Sequence, residues 1–223
     1  MQSAYIRISL PSDTTPANGP SPHFCKAIGG KKLEAGVSLI QTSDGGYAIT
    51  GLTKSFSTGG HDVYVVKLDA AGNLQWTKTI GGPESEEGNS LIQTADGGYA
   101  IAGETYSFGA GEKDVYVVKL DANGNLQWTK TIGGPESEEG NSLIQSSDGG
   151  YAIAGTYGLV DYEGIHPVDV YVFKLDANGN LQWTKTIGGP DSEEGNSLIQ
   201  TSDGGYAIAG YTSSFGAGEW DVY

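Results

Sequence analysis

The chain has 223 residues and a formal net charge of −15, with 27 acidic against 12 basic side chains. This charge opposes binding to nucleic acid and to anionic membrane surfaces, because both partners are themselves negative. No apolar run approaches the roughly 20 residues of a membrane-spanning helix, and the single cysteine leaves no partner for an internal disulfide.

The first predicted strand covers residues 4–10, and a proline-containing loop, residues 11–22, follows it. The next segment, residues 23–30, aligns with residues 75–82 at an offset of 52 residues. No basic flank precedes an apolar core in the opening residues, so no signal peptide is visible. These elements form part of a unit that the rest of the chain repeats.

From Glu34 onward the chain repeats one unit almost end to end. Its diglycine turn falls, at spacings of 52, 52 and 55 residues, on Gly46, Gly98, Gly150 and Gly205. Such a period is typical of arrays in which each unit buries its apolar faces only against its neighbours.

Four short strands are predicted in each unit, because runs rich in Val, Ile, Tyr and Trp alternate with turn residues. In the second unit they cover residues 89–94, 99–105, 114–120 and 126–132. The turns at 96–98 and 121–125 are strong hairpin signals, since Gly and Asn supply the positive φ of tight turns. Adjacent apolar residues such as Val117 and Val118 indicate that both sheet faces are buried. A repeated four-stranded antiparallel sheet covered on both faces predicts the blade of a β-propeller.

The incomplete units at the two ends give the predicted number of blades. Three complete units are followed by a partial one, and the boundaries lie at about 34–85, 86–137, 138–192 and 193–223. Residues 3–33 supply the strands that the last unit lacks. We therefore predict one all-β domain over residues 1–223, a four-bladed propeller whose ring is closed by N-terminal strands that complete the C-terminal blade. Residues 221–223 duplicate the start of the strand supplied by the N-terminus, and their place is left open.

The units resemble those of secreted and surface β-propeller repeat proteins of archaea and bacteria, which carry blades of the type DGGYAIAG…DVYVVKLDANGNLQW. The resemblance covers almost the whole chain and is specific for the fold. It implies a propeller and an extracellular or surface setting. It carries no catalytic residue onto this chain.

One acidic position recurs just before the innermost strand of every unit, at Glu34, Glu86, Glu138 and Glu193. In a four-bladed ring the blade connections approach the central channel, where four carboxylates would suit a hydrated Ca²⁺ or another hard cation. The alternative is that these glutamates only point to solvent and keep the surface charged. No other cofactor is indicated.

Two more acidic positions recur. The first comprises Glu87, Glu139 and Glu194, and Ala35 breaks its fourfold symmetry. The second opens the third strand of each unit, at Asp62, Asp114, Asp169 and Asp221. We interpret the second set as structural, because Asp at a strand edge commonly accepts hydrogen bonds from the N–H groups of a neighbouring turn.

The units differ mainly in the loop between the second and third strands, which covers residues 52–61, 104–113, 156–168 and 211–220. Strand alternation places these variable loops on the same face as the blade connections. Aromatic side chains beside carboxylates suit sugar rings, and exposed aromatic clusters mark interaction sites. The ligand-binding candidates are Trp220, Tyr162, Tyr106 and His166. Three phenylalanines are interpreted instead as apolar plugs under the loops, namely Phe56, Phe108 and Phe215.

No pair of a nucleophile and a base is visible in the sequence, so the leading hypothesis is a non-catalytic binding or adhesion module for a glycan or a protein. The alternative is a carbohydrate-active hydrolase or lyase that uses two channel carboxylates about 5 to 9.5 Å apart. Its carboxylates would come from the set Glu86, Glu138, Glu193 and Glu34. A third possibility is a structural part of a larger assembly. The ligand and the oligomeric state are left open.

Overall fold

A computed structural model describes residues 6–7, 25–158, 160–161, 164–165 and 167–223. Within these ranges the chain forms strands and turns without a helix. No helix capable of crossing a membrane is therefore found in this part of the chain.

The strands form successive antiparallel sheets along the sequence. A separate two-stranded sheet consists of β1 (Ile6–Arg7) and β2 (Cys25–Lys26). The first blade consists of β3 (Glu34–Gln41), β4 (Tyr47–Thr53), β5 (Asp62–Leu68) and β6 (Leu74–Ile80). The second consists of β7 (Glu86–Gln93), β8 (Tyr99–Thr105), β9 (Asp114–Leu120) and β10 (Leu126–Ile132).

The third and fourth blades follow the same order. The third contains β11 (Ser137–Gln145) and β12 (Tyr151–Gly158), a short hairpin of β13 (Val160–Asp161) and β14 (Gly164–Ile165), and then β15 (Asp169–Leu175) and β16 (Leu181–Ile187). The fourth contains β17 (Glu193–Gln200), β18 (Tyr206–Thr212) and β19 (Asp221–Val222). Within the described ranges, three blades are thus four-stranded and the fourth has three strands. The fold is the all-β, four-bladed propeller architecture that the repeat predicts.

The predicted strands of the second blade agree closely with the structure. Three of the four have the predicted bounds, whereas β7 begins at Glu86 instead of residue 89. The register shifts between Gly88 and Ser90, so pairing with β8 continues past this irregularity to Glu86 and Thr105. The sequence did not reveal this extension, because a bulge interrupts the alternation of residues that marks a strand.

Both hairpin turns of the three complete blades use the chemistry expected from their sequence. Gly97 and Gly124 have φ angles of 80° and 76°, a left-handed conformation that glycine adopts without a steric penalty. In the second turn, Asp121 Oδ1 accepts hydrogen bonds from the N–H groups of Asn123 and Asn125, both at 2.8 Å. The Asp-Ala-Asn-Gly-Asn segment is therefore a hairpin turn that its own side chains hold together.

A buried lysine ties the third strand of each complete blade to its first turn. Lys119, of which 3% is exposed, pairs with Asp96 at 2.9 Å and donates to the carbonyl of Leu120 at 3.0 Å. The same ion pair joins Lys67 to Asp44 and Lys174 to Asp148. These lysines belong to the scaffold of the blade.

The core lies between the blades. In β9, Val117 packs with Leu143 of the third blade, whereas Val118 packs with Ala48 of the first. Ala100 and Ala102 are fully buried at the junction of the second and third blades, where their small side chains allow close contact of the two sheets. Both faces of the inner blades are thus buried, as predicted.

The four blades follow one another in a row, and the strands at its two ends bear on the predicted closure of the ring. Ile6 of β1 pairs with Lys26 of β2, which matches the pairing of Val65 with Lys78 in the first blade. β19 pairs with β18, so the last residues begin the third strand of the fourth blade. Among the described residues, neither β1 nor β2 pairs with that blade. Closure of the ring by the N-terminal strands therefore stays a prediction.

Candidate functional site

The variable loops and the connections between blades lie on one face of the molecule, as strand alternation predicts. In the first variable loop, the N–H of Gly60 donates to the carbonyl of Glu84 at 2.9 Å, and Thr58 Oγ1 donates to the carbonyl of Gly82 at 3.1 Å. Both acceptors lie in the connection between the first and second blades. We call this surface the loop face.

The four glutamates that open the innermost strands are anchored inside this face. Glu86 is fully buried. Its Oε1 accepts hydrogen bonds from Thr105 Oγ1 at 2.8 Å and from the N–H of Ser107 at 3.2 Å, and its Oε2 accepts from the N–H of Gly82 at 2.7 Å. Glu193 accepts the corresponding bonds from Thr212, Ser214 and Gly189. Each carboxylate therefore fastens a blade connection to the start of a variable loop.

These contacts show that all four glutamates accept local hydrogen bonds from N–H groups of the blade connections. In the part of the chain that the structure describes, no group of three or more His, Cys, Asp or Glu side chains is placed to hold a metal ion. Glu86, Glu138 and Glu193 are at most 1% exposed, and Glu34 makes the same kind of local bonds at the half-buried end of the row. Convergence of the four glutamates in a channel, as ligands of a cation or as catalytic carboxylates, therefore stays a prediction.

A second carboxylate lies beside each buried glutamate. A methyl group built on Gly81 would lie 2.3 Å from Glu86 Oε2 and 2.6 Å from Asp62 Oδ1, so both oxygens face the same glycine. Asp62 is 2% exposed, and its Oδ1 has no hydrogen-bond partner. Burial and, to a smaller extent, the Glu86 carboxylate raise the pKa of Asp62. The predicted structural role of Asp62 holds for its other oxygen, Oδ2, which accepts from the N–H of Thr58 at 3.4 Å.

A different set of charged side chains meets between the second and third blades. Lys113 pairs with Glu104 of its own blade at 3.4 Å and with Glu139 of the next blade. Glu87 lies opposite Glu104 in the pairing of β7 with β8. We call Glu104, Lys113 and Glu139 the junction cluster. It joins two blades through side chains that change from unit to unit.

The electrostatics of the junction cluster differ from those of an exposed ion pair. Burial raises the pKa of Glu104 to about 7; Lys113 opposes this rise, and the carboxylates of Glu139 and Glu87 add to it. Burial disfavours the charged form of Lys113, but the neighbouring carboxylates outweigh it and raise the pKa of Lys113. Glu104 therefore changes its charge near neutral pH, next to a lysine that stays charged.

The equivalent positions in the fourth blade carry two aromatic rings. Tyr211 and Trp220 occupy the places of Glu104 and Lys113, and their rings meet edge to face at 4.9 Å. Tyr211 is 38% exposed and Trp220 is 55% exposed. In both blades the first and last residues of the variable loop contact each other. The two loop positions that differ between these units are therefore in contact with each other in both blades.

The two predicted ligand-binding residues that the structure describes, Tyr106 and Trp220, lie in different blades. Tyr106 is 48% exposed and lines a shallow, open pocket together with His61, Glu84 and Ser85. Burial of its ring and the charges of Glu104, Glu139 and Glu112 raise the pKa of Tyr106, whereas Lys113 opposes the rise. Trp220 belongs to the fourth blade. Tyr162 and His166 fall outside the described residues.

The three phenylalanines are only partly the predicted plugs. Each packs on a tyrosine in the next strand or directly after it, at centroid distances of 5.7, 5.7 and 5.9 Å, in the pairs Phe56–Tyr64, Phe108–Tyr116 and Phe215–Tyr223. Their exposed fractions of 49%, 41% and 48% show that one side of each ring still meets solvent. These side chains support the loops and also contribute apolar surface to the loop face.

Sequence reasoning overlooked the junction cluster. The loop bounds contained the signal, because Glu104 and Lys113 are the first and last residues of the second variable loop. The set that contains Glu139 lacks fourfold symmetry, but a site that serves recognition needs no such symmetry. Comparing the ends of each loop, in addition to its aromatic residues, would have identified the pair.

No family model matches the chain. The regulatory protein FlaEY of Caulobacter vibrioides is 26% identical over 232 aligned residues. That alignment covers 94% of this chain, which spans 23% of the length of this curated relative.

Solved structures show likeness at the level of the fold. A protein of unknown function from Bacteroides caccae superposes with a TM-score of 0.50 at 13% identity, over 83% of this chain and 56% of that one. An exo-β-1,3-galactanase from Phanerochaete chrysosporium, solved with galactose, gives 0.49 at 12% identity over 79% of this chain and 41% of the enzyme. An endo-arabinase from Bacteroides thetaiotaomicron gives 0.49 at 11% identity over 82% and 72%. Similarity this low carries no activity to this chain.

Proposed function

We propose that the protein is a non-catalytic binding module that recognises a glycan through its loop face. The observation that carries this proposal is the pairing of variable side chains on a constant scaffold. The same two positions hold an acid and a base in the second blade, Glu104 and Lys113, and two aromatic rings in the fourth, Tyr211 and Trp220. Variation of this kind is typical of loops that carry recognition on a rigid framework.

The chemistry of the loop face suits a sugar better than an anionic ligand. Exposed aromatic rings offer flat apolar surfaces to the C–H faces of a sugar ring, and carboxylates accept hydrogen bonds from its hydroxyl groups. Tyr106 brings these two kinds of group together in sequence, because it lies two residues after Glu104 at the start of the same variable loop. The formal charge of −15 opposes phosphorylated and uronate ligands. A neutral oligosaccharide is the ligand class that these groups favour.

One observation favours a second candidate, a carbohydrate-active enzyme. The pKa of Glu104, raised to about 7 by burial, is that of a general acid suited to neutral pH. Lys113, however, pairs with both Glu104 and Glu139, so neither carboxylate is free to act as nucleophile or base. A name such as regulatory protein, which the relative from Caulobacter vibrioides carries, also accords with binding more than with turnover. Binding is therefore the function that the site supports best.

The proposal is tested on a glycan array, followed by calorimetry with the neutral oligosaccharide that binds best. Tyr106→Ala and Trp220→Ala should each weaken binding, by about tenfold for the loss of one stacked ring. Leu126→Ala is the matched control, because Leu126 is 55% exposed on the outer strand β10, away from the variable loops.

Four results would contradict the glycan proposal. A blank array is the first, and binding that survives both aromatic substitutions is the second. Release of reducing sugar from a glycoside panel, abolished by Glu104→Gln, would show the enzyme instead. Capture of a protein by the wild type but not by Trp220→Ala would show that the loop face binds a protein instead of a glycan.

A further inference from the structure

The three junctions between blades repeat the same hydrogen bonds. At the first junction, Gln93 Oε1 accepts from the N–H of Ser43 at 2.7 Å. Bonds of 2.8 Å repeat it at the next two, in the pairs Gln145–Ala95 and Gln200–Ser147. A second bond, from the N–H of Leu91 to Ser38 Oγ at 3.3 Å, also recurs at each junction. One blade therefore always presents a serine hydroxyl and a turn N–H, and the following blade always presents a glutamine and a leucine.

The outer faces of the first and fourth blades carry the two halves of this interface. On the first blade, Gln41 and Leu39 hold the positions of Gln93 and Leu91. Leu39 is 46% exposed there, whereas Leu91 is 3% exposed inside the row. The missing partner of Leu39 explains the difference.

The fourth blade presents the complementary half. Ser202 and Ser197 hold the positions of Ser43 and Ser38, and Ala207 is exposed where Ala48 is fully buried. Ile199 is 59% exposed on the same face. If a first blade packed here, Gln41 Oε1 would accept a hydrogen bond from the N–H of Ser202. The N–H of Leu39 would donate to Ser197 Oγ.

We propose that the outer face of the fourth blade binds the outer face of the first blade of a second copy, so that the chains associate head to tail. The proposed contact repeats an interface that this chain already forms three times, with neutral and apolar side chains on both sides. A second copy completes both faces without altering the three existing junctions. The two faces of one chain do not cover each other in this structure, since Leu39 and Ile199 both remain exposed.

The two patches differ from each other, so the interface is heterologous. Such an interface repeats from copy to copy. It gives a ring if the rotation between successive copies closes and an open chain if it does not. This inference does not depend on glycan binding, because the loop face contributes no residue to it. Association and sugar recognition are expected to fail independently in variants.

Sedimentation velocity of the full chain over a wide range of concentration tests the association. We expect the average mass to rise with concentration. Ile199→Asp and, separately, Leu39→Asp should hold the protein at the monomer mass, because each places an unpaired charge in the apolar interface. Leu126→Asp, an equally exposed change on β10, should associate like the wild type. Circular dichroism confirms that each variant remains folded.

Cross-linking identifies the contact. In a Cys25→Ser background, chains with Gln41→Cys and differently tagged chains with Ser202→Cys are mixed and treated with a short bis-maleimide. We expect a product that joins the two tags. Gln93→Cys in place of Gln41→Cys is the matched control and should give none, because Gln93 already bonds to Ser43 of its own chain.

The inference is overturned if the protein sediments as a monomer at every concentration and the mixed chains do not cross-link. It is also overturned if Gln41→Cys and Ser202→Cys react only within one doubly substituted chain. That second result would instead establish closure of the four blades on themselves.

Discussion

Glu86 and Glu139 are neighbours in the pattern of the repeat, yet they belong to different parts of the molecule. Both open an innermost strand, Glu86 at the first residue of β7 and Glu139 at the third residue of β11. Glu86 is fully buried and accepts three hydrogen bonds from its own blade connection and loop. Glu139 is 32% exposed and pairs across a junction with Lys113. One position in the unit supports the loop, and the next is available for recognition.

The difference follows from strand geometry. Successive residues of a strand point to opposite sides, so a shift of one residue exchanges a buried position for an exposed one. The buried position holds glutamate in all four units, because every loop needs the same acceptor. The following position holds Ala35, Glu87, Glu139 or Glu194. Constancy among the units thus marks the scaffold, and variation marks the candidate site.

The largest expected effect comes from removing the buried carboxylate. Glu86→Ala leaves the N–H of Gly82 and the hydroxyl of Thr105 without an acceptor, and should lower the free energy of unfolding by about 3 kcal/mol. Urea denaturation monitored by tryptophan fluorescence measures it. Glu139→Ala is the matched control, because a partly exposed ion pair contributes less than about 1 kcal/mol. Equal losses in the two variants would contradict the division between scaffold and site.

A smaller loss in the free energy of unfolding is expected when alanine replaces the glycine that lies against the paired carboxylates. A Cβ on Gly133 would lie 2.2 Å from Asp114 Oδ1 and 2.3 Å from Glu138 Oε2. Gly133→Ala should therefore displace both side chains and cost about 1 to 3 kcal/mol. The adjacent Gly134→Ala should cost less than half as much, because a Cβ on Gly134 would lie 3.8 Å from its nearest neighbour in space, Glu138 Oε1. Thermal unfolding of the two variants under the same conditions compares them, and a larger loss for Gly134→Ala would show that the glycine contact is unimportant.

Much of the fold could be predicted because its signals are local. The Gly97 and Gly124 turns and the β-branched strands between them depend on residues within one hairpin, and the strand bounds of the second blade agree except at β7. The candidate site could not be predicted as fully, because Lys113 and Glu139 meet across a junction between blades. Glu86 and Glu87 are adjacent, and the register of β7 with β8 decides which of them is buried. A bulge shifts that register between Gly88 and Ser90, so the sequence alone does not identify the buried residue.

The junction cluster should make stability depend on pH. The pKa of Glu104 rises on folding from its ordinary value of 4.5 to about 7, so the folded state retains a proton that the unfolded state releases. The resulting stabilisation is complete below pH 4.5 and is lost progressively as the pH rises from 4.5 to 7, by about 3 kcal/mol in all. Between pH 5 and pH 8 the wild type should therefore lose more stability than Glu104→Gln.

Measurement of the unfolding midpoint at each pH in matched ionic strength checks this difference. Glu219→Gln serves as the control, because Glu219 is exposed in the corresponding loop of the fourth blade. Its pH profile should follow that of the wild type. Identical profiles for Glu104→Gln and the wild type would show that Glu104 does not hold a proton near neutral pH.

The smallest expected change in stability concerns the largest exposed side chain of the site. Trp220 is 55% exposed and touches Tyr211 edge to face, so Trp220→Ala should change the free energy of unfolding by less than about 0.5 kcal/mol. Trp128, which is half-buried against the core and packs on Tyr151 at 5.7 Å, should cost at least about 2 kcal/mol when truncated in the same way. A tryptophan that contributes little to the fold must be explained by what it contacts outside the chain. If Trp220→Ala unfolds as readily as Trp128→Ala, the aromatic pair belongs to the scaffold, and the recognition role of the fourth blade has to be abandoned.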